Sequence, residues 1–130
     1  MEEPTCKRYP YHYLPPGREV GANQEAVAAI EKVLQAHQCE YLLSKTWTTD
    51  AVYREREAKV RHRKAEGCIT VEMEAAAFFA VAQFRSVQFA QLLYGGDNVR
   101  SNEWDSRLWD SHTSVREKLF WLAAEACLLL

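Results

Sequence analysis

Apolar residues recur along this chain in two rhythms, one suited to helices and one to strands. From Asn23 onward, Val27, Ile30, Val33 and Leu34 share one face of a 3.6-residue period. Asn23 stands where a side-chain oxygen can cap the first turn, so a helix is expected to start there. Tyr41 to Thr49 is short, aromatic and β-branched, which is the profile of a strand. Arg54 to Glu66 reads as a charged helix in which Glu57 can pair with Arg61 one turn on, with Gly67 placed to end it. Cys68-Ile69-Thr70-Val71 is a second expected strand. It leads into Ala75 to Ala82, apolar on every side and so expected to be a buried helix. A third strand is expected over Val87 to Tyr94, ending at Gly95-Gly96-Asp97. The last helix is expected to open at Ser114, with Glu117 completing a capping box, and to bury Val115, Leu119, Leu122, Ala126 and Leu129.

Helices and strands in alternation predict an α/β fold, here a three-layer α/β/α arrangement with a mixed, partly parallel sheet over residues 23–130. Residues 1–22 hold all four prolines and Tyr9, Tyr11 and Tyr13, and are expected to form an extended leading segment. Parallel strands would bring their carboxyl ends to one edge, where open α/β sheets bind ligands. The three end segments are Thr49 to Tyr53, Glu72 to Glu74 and Gly95 to Asp97. Each carries at least one carboxylate.

Charge narrows the function classes. A formal net charge of -2 gives no attraction to nucleic acid or to an anionic membrane surface. The basic residues Arg54, Arg56, Lys59, Arg61, Arg63 and Lys64 are diluted by Glu55, Glu57 and Glu66, the composition of a solvated helix face. Cys6, Cys39, Cys68 and Cys127 form no C-x-x-C pair. They read as reduced thiols in a cytoplasmic protein. His12, His37, His62 and His112 show no ligand spacing, and no metal site is expected. The acidic start Met1-Glu2-Glu3-Pro4 is unlike a signal peptide. The apolar run from Leu119 to Leu130 is too short for a bilayer and is broken by Glu125. Trp104, Trp109 and Trp121 read as packing or interface residues.

Glu72-Met73-Glu74 holds the sharpest chemistry. Two carboxylates at a strand end, just before an apolar helix, are costly to bury without partners. In one reading Glu74 caps the helix and Glu72 meets an arginine. In the other, a ligand with adjacent hydroxyls donates to a carboxylate from both members of a cis-diol.

Val71-Glu72-Met73-Glu74-Ala75-Ala76-Ala77 resembles the V-E-M-E-A-A signature of the nucleoside phosphorylase family, which includes purine nucleoside phosphorylases, uridine phosphorylases and nucleosidases. Thr46 to Glu55 resembles that family's base-site strand, and Gln91 to Asp97 its later strand ending in Ser-Asp. The resemblance runs from Tyr11 to the C-terminus, and it implies that Glu72, Met73 and Glu74 hold the ribose. It further implies that Val52 and Tyr53 lie against the base, that Asp97 protonates a leaving purine, and that Arg116 supports Asp97. The implied activity is phosphorolysis of a nucleoside, with purine favoured over uridine. A hydrolytic nucleosidase and a non-catalytic interaction fragment are the alternatives. Phosphate is the implied co-substrate, no cofactor is needed, and a homo-oligomer is expected.

Three departures from the family pattern stand out. Gly96 replaces a serine. Val52 stands where an aromatic ring stacks on the base, leaving Tyr53 or Trp47 to compensate. The glycine-rich loop and arginines that hold phosphate in the family's N-terminal half have no counterpart among the five glycines here. The chain therefore resembles the C-terminal half of the family fold, as either a truncated chain or a degenerate relative, and is expected to be incomplete as an enzyme.

Overall fold

The computed structural model describes residues 12–51, 56–95 and 113–130. Its elements are α1 (Gln24–Ala36), β1 (Lys45–Thr48), α2 (Glu57–Ala65), β2 (Cys68–Glu72), α3 (Ala75–Arg85) and α4 (Thr113–Cys127). Local chemistry accounts for several of their ends. The Asn23 side-chain oxygen accepts the Ala26 amide at 2.9 Å, as a cap should. After α2 the backbone turns through Gly67 at φ 90°, a conformation that a Cβ disfavours.

β1 and β2 pair in parallel. Lys45 is opposite Cys68, but Thr46 is opposite Thr70, so β2 carries one extra residue at an irregularity. Beyond it Trp47 faces Val71 and Thr48 faces Glu72. The Thr49 amide extends the ladder by donating to the Glu72 carbonyl at 2.8 Å.

Two apolar clusters hold the helices. Val20 and Ala22 pack with Ala75, Ala76, Phe79 and Ala80 of α3, with Leu14, Val27, Phe89 and Ala90 against them. Val33 and Leu34 of α1 pack with Leu122 and Ala126 of α4, flanked by Ile30, Cys39 and Leu92. Burying one such Val, Leu or Phe side chain stabilises the fold by roughly 1.5–3 kcal/mol. These clusters therefore outweigh the exposed His37–Glu125 pair, 2.6 Å apart, that also joins α1 to α4.

The structure corrects four expectations. The first strand is limited to Lys45–Thr48. Tyr41 instead uses its hydroxyl to bridge Gln35 and Glu31 of α1. Val87 to Gly95 forms no strand among the described residues. Its apolar positions serve packing, with Phe89 and Ala90 on one cluster and Leu92 on the other, and its Phe89 carbonyl accepts the Asn23 amide. The sheet is accordingly a two-stranded parallel one among the described residues, without the expected third strand or mixed pairing. Helix α3 is buried on one face only, since Phe78 and Phe84 are about half exposed. Helix α4 is already helical at Thr113, so Ser114 is not its cap. Of its expected stripe Leu122 and Ala126 are buried, Leu119 is half-buried, and Val115 and Leu129 are exposed.

Candidate functional site

The expected ribose edge lies where β2 ends and α3 begins. A helix start leaves backbone N–H groups without partners in the helix itself. Two side chains take them here. Glu72 Oε2 accepts the amides of Glu74 at 2.7 Å and Ala75 at 2.5 Å. Thr48 Oγ1 accepts the Ala76 amide at 3.1 Å, and the Thr48 hydroxyl donates to Glu72 Oε1. A carboxylate at this position also gains from the positive end of the helix dipole.

The expectation that Glu74 caps the helix while Glu72 meets an arginine is corrected at the cap, which comes from the other carboxylate. Glu72 supplies the cap, and Glu74, at the cap position of α3, contributes no side-chain hydrogen bond to it. Among the described residues the Glu74 carboxylate has no hydrogen-bond or ion-pair partner, and it is exposed, as is Met73. The pair therefore divides its work. Glu72 is held inward by amides, and Glu74 is open to whatever meets this corner.

Val52, Tyr53 and Asp97, expected at the base, lie outside the described residues, as does Gly96. Arg116, expected to support Asp97, donates from Nε to the Tyr94 hydroxyl at 3.1 Å. That bond places it beside the segment leading to Asp97. Trp47 is not available to stack on a base. It is 4% exposed, and Lys59 and Arg63 cover its ring. The residue that sequence reasoning passed over is Thr48. Its role depends on cross-strand register, which residue types alone do not reveal.

A cavity of about 1060 Å³ opens between α1, α4 and the segments around Leu42 and Leu92, with Thr46, Ile69 and Thr70 on its sheet side. Its walls are mainly apolar. Among the described residues no group of His, Cys, Asp and Glu could hold a metal ion, and no helix is long and apolar enough to cross a membrane.

A sequence search of curated proteins finds no match. Among solved structures the chain is similar to an AMP nucleosidase from Bacteroides thetaiotaomicron, with a TM-score of 0.69 at 18% identity. The match covers 98% of this chain and 50% of that one, so the chain spans about half the length of this structural relative. At that identity the likeness speaks for the fold, which is a phosphorylase-like α/β fold. The family model described as the phosphorylase superfamily matches residues 2–124, nearly the full length, and the protein belongs to that superfamily.

Proposed function

We propose that this chain forms the nucleoside-holding half of an enzyme that cleaves an N-glycosidic bond, with phosphate as the nucleophile and a pentose 1-phosphate as product. The observation that carries this reading is the corner at Glu72-Met73-Glu74. An exposed carboxylate stands beside one fixed by backbone amides, at the carboxyl end of parallel strands. An open carboxylate at such a place suits the adjacent hydroxyls of a ribose, which donate hydrogen bonds that an ionised carboxyl accepts.

In this reading Glu74 and Met73 meet the ribose, with Glu72 held behind them. Val52 and Tyr53 lie against the base, and Asp97 donates a proton to a leaving purine with Arg116 supporting it. Protonating the base nitrogen makes the base a better leaving group, so purine nucleosides are favoured over uridine. No cofactor is required, because phosphate is itself the co-substrate. Hydrolysis is the second reading. It is favoured by the likeness to an AMP nucleosidase, an enzyme whose name implies water in the place of phosphate.

Calorimetric titration with inosine, uridine and AMP, followed by an assay of free base with and without phosphate, tests both readings. Nucleoside binding by this chain is the expected result, with phosphate-dependent release of base once a phosphate-holding half is supplied in the assay. Release that ignores phosphate would establish the hydrolytic reading instead. A folded protein that binds none of the three would overturn the nucleoside assignment.

A further inference from the structure

We propose that Thr48 is a positioning residue for the ribose edge: its hydroxyl pins the Glu72 carboxylate to the start of α3 and so presents Glu74 to the ligand. The proposal rests on the nucleoside reading above. Thr48 and Glu72 are register partners across β1 and β2, so their side chains lie on the same face of the sheet. The hydroxyl has one hydrogen to donate and lone pairs to accept, and the structure uses both capacities. It donates to Glu72 Oε1 and accepts from the Ala76 amide at 3.1 Å. An ionised carboxylate accepts only, so Glu72 needs a donor on that oxygen. Its other oxygen is occupied by the Glu74 and Ala75 amides. One hydroxyl thereby ties together the end of β1, the end of β2 and the first turn of α3.

The alignment is not automatic. With Lys45 opposite Cys68 and no irregularity, Thr48 would face Val71. The extra residue at the irregularity moves Glu72 opposite Thr48. A bulge that re-aims a side chain beside a site is a recurring device in sheets. Without the hydroxyl, Glu72 Oε1 loses this donor, β1 loses its side-chain tie to the first turn of α3, and the corner that presents Glu74 loosens.

The test compares wild type with Thr48→Val, which keeps the shape and removes the hydroxyl, and Thr48→Ser, which restores it. Each is titrated with a ribonucleoside and with its 2′,3′-dideoxy analogue, and exchange of the Ala75 and Ala76 amides is followed in parallel. The expected result is an affinity loss of about tenfold for the ribonucleoside in Thr48→Val. The dideoxy analogue should bind with little change, Thr48→Ser should return to within about twofold of wild type, and the Ala76 amide should exchange faster in Thr48→Val. An equal loss for both ligands would mark Thr48 as merely structural and overturn the proposal, as would no loss. Should Thr48→Val not fold, Thr48→Ala takes its place. Failure of both to fold would also make the residue structural. Wild type that binds neither ligand would remove the nucleoside reading and this proposal together, whereas wild type that binds with an unaltered Thr48→Val would remove only the proposal.

Discussion

The ammonium nitrogen of Lys59 sits 4.8 Å from the centroid of the Trp47 ring, and the Arg63 guanidinium lies 5.8 Å from the same centroid. A cation over an indole face is attracted by the ring quadrupole. The indole thus joins β1 to α2 and is committed to the interior. Trp47→Ala should destabilise the fold by about 3–5 kcal/mol, the usual cost of emptying a large aromatic site. A double-mutant cycle of Trp47→Leu with Lys59→Met should give a coupling of only about 0.5–1 kcal/mol. Urea unfolding measures both. A tryptophan whose removal leaves stability intact but abolishes nucleoside binding would show that it belongs to the base site after all.

Glu72 and Glu74 should separate cleanly in experiment. Glu72→Gln weakens a cap made of charge-assisted hydrogen bonds to two amides, so it should lower stability by about 0.5–2 kcal/mol. Glu74→Gln should lower stability by no more than about 0.3–1 kcal/mol, the helix-dipole contribution, since its carboxylate has no hydrogen-bond or ion-pair partner among the described residues. Its main effect should be to weaken nucleoside binding by about 1.5–3 kcal/mol, the range for a hydrogen bond to a charged group. Thermal melts and calorimetry on the two variants check the contrast. Equal effects of both changes on stability would contradict the division of roles.

Burial pushes the Cys68 thiol up from its ordinary range; Arg63 and Lys45 pull it down, and Glu19 acts in the same direction as burial. The charged thiolate is the form that burial disfavours. In the unfolded chain the thiol ionises at its ordinary pKa, and in the folded protein only above it. The native state therefore holds the proton to higher pH, and stability should fall as pH rises through the ordinary thiol range toward the raised folded value. Cys68→Ala should reduce that alkaline slope. At pH 8 an alkylating reagent should modify the exposed Cys127 well before Cys68, as peptide mass mapping would show. Equal rates for the two would mean that Cys68 is not protected by the fold.

Leu42, Leu43, Ile69 and Leu93 are exposed apolar side chains on the walls of the large cavity. Contiguous apolar surface of this kind drives association. Light scattering should show a mass that rises with protein concentration. The pair Leu42→Ser with Ile69→Thr should lower that tendency without loss of the helical circular dichroism signal. A monodisperse monomer at high concentration in the unaltered protein would refute the expectation.

The elements that the sequence determined by itself are those set by near neighbours. Asn23 caps α1 because its side chain needs to reach only three residues along, and Gly67 ends α2 because one residue must adopt a positive φ. The apolar stripe of α1 and the V-E-M-E-A-A run are equally local, so the helix and the family were legible in the residues alone. What the tertiary structure decided is everything that needs a distant partner. Val87 to Tyr94 has strand-like residues, but a strand exists only where another edge accepts its hydrogen bonds, and this segment packs on two helix clusters instead. Which carboxylate caps α3 and which stays open depends on register between strands more than twenty residues apart. One extra residue in β2 sets Thr48 opposite Glu72, and that alignment turns Glu72 inward and leaves Glu74 at the surface. Side-chain periodicity is the same on either side of such a shift, so only the folded pairing can reveal it.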